Sequence, residues 1–192
     1  MLVSSGGLGH EVSPLLRTAA LPGASALLAL AAHERVLDAL DAAGDRLRAS
    51  GRGKGVYLQA VARALRPLQQ PGAREAFVHT LRSVIDVRGQ RVSATDRLYL
   101  LARMPTLIVW GERDNTIPLA HGRAAHQAIP DSRFATLPRA AHFPHLEDPE
   151  GLSAVLLDFL ATTQPARLDE AEWAELLAPR TVRRRRSRAA AA

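Results

Sequence analysis

The sequence contains no cysteine, and only 4% of its residues are aromatic. Without cysteine the chain forms no disulfide and carries no thiolate nucleophile, which fits a reducing cytoplasm. Residues 1–5 lack the pattern of a signal peptide, and no apolar run approaches the roughly 20 residues that span a bilayer. We therefore expect a cytoplasmic protein with no transmembrane segment and a core of leucine, valine and alanine.

The formal net charge of +6 is concentrated at one end of the chain. Six arginines lie within residues 179–192, and outside this tail 19 basic residues face 19 acidic ones. A balanced body has no basic face that could displace counterions from a nucleic acid, so we predict no specific nucleic-acid partner. The tail, which we predict to be disordered, is either a solvated extension or an anion-binding arm.

The hydrophobic pattern predicts helices in the middle of the chain and strands on either side of them. Helical spacing or composition predicts helices at residues 14–18, 24–47, 56–68, 74–87, 93–102, 119–128, 149–162 and 168–178. Strands are predicted at residues 1–5, 106–110 and 133–137. The run at 106–110 is continuously apolar, which is typical of a strand buried on both faces. Alternation of strands and helices predicts an α/β fold with a short parallel sheet.

Two polar segments follow the second and third predicted strands. VWGERDNTIP (109–118) places Asp114 just beyond a buried strand, and AAHFPHLEDP (140–149) places His142 in the loop after the next strand. Ligand sites of parallel sheets lie outside the carboxyl ends of the strands, so these side chains can meet there. The alternatives are that Glu112 is the acid, and that His142 caps the following helix.

The two segments together resemble the last third of the α/β-hydrolase superfamily, and LVSSGGLG (2–9) is similar to the strand before its cap. The resemblance implies a partial α/β-hydrolase fold with a helical cap insertion. It divides the chain into a core (1–9 and 104–163), a helical segment (10–103), which we call the cap segment, and a C-terminal extension (164–192). It also implies that Asp114 orients His142 as the general base of a catalytic triad.

The nucleophile of the family has no counterpart in this sequence, because no G-x-S-x-G motif or variant of it occurs. We expect a truncated form that lacks the nucleophile and the oxyanion hole. Ser5 follows a strand and is a candidate substitute nucleophile, although Val3 stands where the motif needs glycine. The alternative is that Ser4 and Ser5, with Gly6 and Gly7, line the substrate pocket.

We predict a hydrolase that acts on a small apolar, ester-like substrate and needs no cofactor. No metal site is expected, because Pro144 should prevent a helix that would join His142 and His145 as ligands. The predicted partners are the substrate and an N-terminal fragment or second copy that pairs with the exposed edge strand. The alternative is a non-catalytic binding protein that uses the cap segment and the basic tail.

Overall fold

The structure is a computed structural model that describes residues 1–50 and 54–178. Its strands are β1 (Leu2–Val3), β2 (Ile85–Asp86), β3 (Gly89–Gln90), β4 (Leu107–Gly111) and β5 (Arg133–Leu137). Its α-helices are α1 (Pro14–Ala19), α2 (Ala24–Ala31), α3 (Glu34–Ala49), α4 (Lys54–Leu65), α5 (Pro71–Val84), α6 (Leu119–Ala128), α7 (Pro144–Glu147), α8 (Pro149–Thr162) and α9 (Glu170–Leu177). Two 3-10 helices are Arg66–Gln69 and Thr95–Leu101.

The principal sheet has the strand order β1, β4, β5, and both of its pairings are parallel. Leu2 of β1 pairs with Ile108, and β4 pairs with β5 along its whole length. The predicted short parallel sheet is confirmed, and its strands begin within two residues of the predicted positions. With the surrounding helices it makes a mixed α/β fold.

The core lies on both faces of β4, which is buried over its whole length. Ile108 and Trp110 belong to one hydrophobic cluster together with residues of α6. Leu107 and Val109 belong to a second cluster with Phe159 of α8, because successive side chains of a strand point to opposite faces. A helix thus covers each face of the central strand, as the continuous apolar run predicted.

The prediction of one long helix at 24–47 is wrong, because the structure has two helices there. α2 ends at Ala31, and α3 begins at Glu34 after an extended His33 with φ −64° and ψ 137°. The Nδ1 atom of His33 accepts a hydrogen bond from Arg35 N at 3.3 Å, which caps the new helix. A break of two residues leaves the leucine spacing almost unchanged, so the periodicity did not reveal it.

The helix predicted at 74–87 ends early and gives way to a hairpin. α5 ends at Val84, and β2 then pairs antiparallel with β3. The Asp86 carboxylate accepts hydrogen bonds from Arg88 N (2.8 Å) and Gly89 N (3.2 Å), and Gly89 has a φ of 140°. The Arg88 N–H above all lowers the pKa of the Asp86 carboxyl. Aspartate at the first position of a turn and glycine at the fourth is a turn signal, and here it outweighs helical spacing.

Two further predicted helices are shorter or more tightly wound than expected. The helix predicted at 56–68 is α4, which ends at Leu65 and continues as a 3-10 helix. Pro67 accounts for the change, since proline has no N–H and collides with the preceding turn of an α-helix. The segment predicted as a helix at 93–102 is instead the 3-10 helix Thr95–Leu101.

Other helix boundaries agree with the sequence. α8 begins at Pro149, and Asp148 caps it by accepting from Gly151 N at 3.1 Å. The last predicted helix is α9, whose capping box is formed by Asp169 and Glu172. Among the described residues no helix is long and apolar enough to cross a membrane. The predictions for the arginine-rich tail fall on residues 179–192, which lie outside the described residues.

Candidate active site

Asp114 lies in the turn that follows β4, and its side chain is fully buried. Its Oδ1 atom accepts hydrogen bonds from Thr116 N (2.8 Å) and Ile117 N (2.9 Å), two backbone groups of the same turn. The other oxygen, Oδ2, lies 3.0 Å from Nδ1 of His142. The turn therefore fixes one carboxylate oxygen and presents the other to the imidazole.

His142 follows β5, and the parallel pairing of β4 with β5 brings its loop to the same end of the sheet. Its side chain is 21% exposed. With Nδ1 directed at Asp114, the other ring nitrogen, Nε2, is the one that can accept a proton. Within residues 1–50 and 54–178, Nε2 has no hydrogen-bond partner.

Gly111 is what allows the histidine loop to approach β4 so closely. A Cβ atom at this position would collide with the carbonyl oxygens of Ala140 and Ala141. The loop is also tied to the turn through backbone hydrogen bonds, including Arg113 N to Ala140 O at 3.1 Å. The glycine at the end of the strand thus sets the distance between the acid and the base.

Glu147 holds the loop on both sides of His142. Its Oε2 atom accepts from Ala141 N at 3.0 Å, and its Oε1 atom accepts from Phe143 N at 2.8 Å. We did not predict this role, although Glu147 stands in the H-F-P-H-x-E-x-P run that carries the resemblance. The signal in the sequence was its position, five residues after the histidine.

Pro144 opens the short helix α7, which contains His145 but not His142, so no helix joins the two histidines. Proline is favoured at the first helical position because its missing N–H has no partner there in any case. Among the described residues no group of three or more His, Cys, Asp or Glu side chains could hold a metal ion.

Glu112, the alternative acid, is exposed and does not reach His142. Its carboxylate accepts from the hydroxyl of Thr136 at 2.7 Å. The geometry therefore pairs His142 with Asp114. The catalytic roles of Asp114 and His142 stay predictions.

The structure does not bring Ser5 to the histidine. The Ser5 hydroxyl donates to Val3 O at 3.4 Å, and no hydrogen bond joins it to His142. Ser4 is buried, has a φ of 42° and has no partner for its hydroxyl among the described residues. Non-glycine residues with positive φ are strained, so this end of β1 is held in place by its surroundings.

Gly6 and Gly7 line an apolar cavity of about 300 Å³ together with Val12, Leu16 and Ile117. The remaining wall comes from the end of α5 and the hairpin. One residue of that hairpin, Gln90, accepts from Gly7 N at 2.6 Å and donates to Glu11 O at 3.0 Å. Sequence reasoning did not single out Gln90, because its contact with the glycine loop depends on tertiary packing.

The cap segment also reaches the histidine loop. The ring of Tyr57 on α4 lies 6.3 Å from the ring of Phe143, centroid to centroid. A second cavity, of about 320 Å³, lies between α3, α4 and the loops after β4 and β5. Chain neighbours of the acid and the base line this second cavity, and Ile117, whose N–H binds Asp114, lines the first; each cavity is lined partly by the cap segment.

A carboxylate, an imidazole with one free nitrogen and adjacent cavities are the parts of an acid–base site. The carboxylate sets the tautomer of the ring and stabilises the imidazolium that forms when Nε2 takes a proton. Histidine suits this step because its ordinary pKa lies near neutral pH. The arrangement can therefore activate a hydroxyl or a water molecule that approaches Nε2.

Comparisons with known sequences find relatives but no matching family model. The chain is 38% identical over 182 residues to an uncharacterized protein of Mycobacterium tuberculosis, covering 92% of this chain and 52% of the relative. The chain thus spans about half the length of this curated relative. A 2-hydroxy-6-oxo-6-phenylhexa-2,4-dienoate hydrolase of Burkholderia cepacia is 36% identical over 56 residues, 29% of this chain and 20% of that enzyme.

Solved structures share the fold. A meta-cleavage product hydrolase of Pseudomonas fluorescens superposes with a TM-score of 0.53 and 17% identity, covering 83% of this chain and 54% of that one. An esterase of a Rhodococcus species superposes with a TM-score of 0.50 and 24% identity, covering 83% and 52%. At these identities the likeness establishes the fold, over about half of each solved chain.

Proposed function

We propose, on the premise that this chain has the α/β-hydrolase fold over about half of that fold's length, that it carries the acid and the general base of a hydrolase. One observation carries the proposal: His142 Nδ1 lies 3.0 Å from Asp114 Oδ2, where adjacent parallel strands end. Hydrolases among the relatives and solved structures support the reaction class.

In the proposed mechanism, Nε2 of His142 removes the proton from a nucleophile and later returns it to the leaving group. Asp114 holds the ring in place and balances the positive charge of the imidazolium. Glu147 keeps the backbone on both sides of His142 from shifting while the ring is charged. These residues supply proton transfer and orientation, which account for one part of the rate enhancement that a complete triad gives.

The nucleophile and the oxyanion hole are proposed to come from a segment other than the described residues. Within 1–50 and 54–178, no serine or aspartate oxygen is hydrogen-bonded to Nε2 of His142. The other edge of β1 has no strand partner among the described residues, so a further strand can pair there. Ser5 stays a candidate substitute that would have to move to reach the ring.

The proposed substrate is a small, apolar, ester-like molecule. The cavity beside Gly6 and Gly7 supports this, because its other walls are largely valine, leucine and isoleucine side chains. Apolar cavities of this size bury the body of a small ligand, and a few polar groups set its orientation. A cytoplasmic location stays a prediction, which depends on the lack of cysteine.

The test is hydrolysis of p-nitrophenyl butyrate by the chain alone and by the chain co-expressed with the part of the Mycobacterium tuberculosis relative that it does not match. We expect the chain alone to be little faster than free imidazole and the complex to hydrolyse the ester. His142→Gln should then lower kcat of the complex by about a thousandfold or more, because triad members act as a unit.

His145→Gln is the matched control, because His145 is an exposed histidine three residues away. It should leave kcat within about twofold, as expected of an exposed position away from the chemistry. A complex that forms but hydrolyses no ester would contradict the proposal, as would a His142→Gln complex of unchanged rate. A burst of product from the chain alone that Ser5→Ala abolishes would make Ser5 the nucleophile.

The open edge of β1 also leads us to propose self-association of the isolated chain. Unpaired N–H and C=O groups along a strand recruit other strands. We expect light scattering to show dimers or larger species for the chain alone. After co-expression we expect complexes that contain one copy of each chain. A monodisperse monomer that unfolds cooperatively at ordinary stability would contradict this proposal.

A further inference from the structure

We infer that the cavity of about 320 Å³ between the cap segment and the histidine loop binds the carboxylate end of an apolar acid. α3 and α4 line one side with Leu47, Lys54 and Leu58, and Arg113 and Arg139 stand on the loops opposite. The inference rests on the proposed function and deepens it, since it concerns the end of the substrate that does not react.

Three cations converge on this cavity without a carboxylate partner. They are Lys54, Arg113 and Arg139. Within residues 1–50 and 54–178, none of the three forms an ion pair or a side-chain hydrogen bond. A guanidinium elsewhere on the cap segment, that of Arg66, is paired with Asp41 at 2.6 Å. Three like charges around one cavity repel each other, and the attraction to an anion bound among them offsets that repulsion.

One carboxylate lines the cavity, and it is already occupied. Both oxygens of Glu147 accept backbone N–H groups of the histidine loop, at 3.0 Å from Ala141 and 2.8 Å from Phe143. These bonds direct the carboxylate at the loop backbone, and Glu147 forms no ion pair with Lys54, Arg113 or Arg139. The lining therefore has three positive charges and one negative charge, and the negative charge is hydrogen-bonded to the loop backbone.

The rest of the lining selects an apolar body. Leu47 and Leu58 face the cavity from the cap segment, and Tyr57 adds an aromatic ring. Arginine is suited to a carboxylate because its planar fork of N–H donors matches the two oxygens. An aryl or alkyl carboxylate fits both parts of this lining, whereas a fully polar anion would leave the leucines in contact with charge.

Chain neighbours of the acid and of the base line the cavity. Arg113 and Asn115 flank Asp114 in the chain, and Ala141, which precedes His142, is part of the cavity wall. A substrate whose carboxylate is bound here would extend from the cavity towards the histidine loop. Binding at this end would position the ester without taking part in the reaction, as remote binding energy does in enzymes.

The experiment is an NMR titration of the chain with phenylacetate and with phenylacetamide, its neutral isostere. We expect phenylacetate to bind about tenfold more tightly at low salt, the effect of a few partly exposed charge pairs. The preference should shrink as salt is raised, because exposed charges are screened. The double variant Arg113→Gln/Arg139→Gln should lose most of the preference and keep the affinity for the amide.

Arg97→Gln is the control, since Arg97 is an exposed arginine outside the cavity lining. Equal binding of acid and amide would overturn the inference, as would a preference that survives the double variant or is lost equally in the control. The readout is independent of hydrolysis. Selective phenylacetate binding without ester hydrolysis in the complex would refute the proposed function alone, and hydrolysis without the preference would refute this site alone.

Discussion

Replacing Glu147 by glutamine changes the hydrogen bonds on both sides of His142 and keeps the length of the side chain. The wild-type carboxylate accepts from Ala141 N and Phe143 N through its two oxygens. A glutamine amide has one oxygen and one NH2 group, so it can accept only one of these bonds. The other backbone N–H loses its acceptor and meets a second donor.

The magnitude follows from these two bonds. A hydrogen bond to a charged group contributes about 1.5–3 kcal/mol, and a half-buried N–H without a partner costs about 1 kcal/mol or more. The residues of this loop are half-buried, so we place the loss in free energy of unfolding near the lower end, at about 2 kcal/mol. For a chain of this length that corresponds to a fall in thermal midpoint of roughly 4–8 °C.

Two measurements separate a positioning role from a purely structural one. Thermal unfolding reports the stability, and the nitrogen-15 shifts of the His142 ring report its tautomer. In the wild type, we expect the proton to reside on Nδ1, facing Asp114. In Glu147→Gln we expect a mixture of tautomers, because the loop no longer holds the ring at one distance from the carboxylate.

Glu150→Gln is the matched control, with the same chemical change at an exposed position of the next helix. It should shift neither the thermal midpoint by more than about 2 °C nor the ring signals of His142, as expected of a surface substitution. Unchanged ring signals in a destabilised Glu147→Gln would limit Glu147 to a structural role. Unchanged stability and unchanged signals would refute the reasoning altogether.

Three further substitutions test other contacts. Gly111→Ala should cost about 2 kcal/mol or more in urea unfolding, because its Cβ would strike the Ala140 and Ala141 carbonyls; wild-type stability would contradict the contact. Gly122→Ala should lower the free energy of unfolding by about 1–3 kcal/mol, because its Cβ would overlap the Trp110 ring. A more stable variant would show that the core rearranges to accept the methyl group. The hydrogen bond from His121 lowers the pKa of Glu11. The stabilising effect of this hydrogen bond should be present above the ordinary pKa of a glutamate carboxyl, and it should be lost as pH falls through the lowered pKa of Glu11. Thermal midpoints across this acid range should therefore fall more steeply for the wild type than for Glu11→Gln, and parallel curves would refute this linkage.

Local signals account for the elements that the sequence predicted well. β4 is a continuous apolar run, and such a run can be satisfied only by burial on both faces. The start of α8 follows from Asp148 and Pro149, which act within one helical turn. Where a break or turn competes with helical spacing, as at His33 and Asp86, the same pattern misled the prediction, because a few local hydrogen bonds outweighed periodicity.

From the sequence alone came the parallel α/β sheet and the choice of Asp114 and His142, since each depends on residue type and on position after a strand. Only the tertiary structure decided which carboxylate oxygen meets the ring, that Glu147 spans the loop, and that three cations surround one cavity. The first and the third of these features join residues from distant parts of the chain, whereas Glu147 binds backbone groups six and four residues before it. The pairing of β4 with β5 and the close approach at Gly111 set the distance between the acid and the base, and the packing of the cap segment against the loops forms the cavity. No local pattern encodes either arrangement.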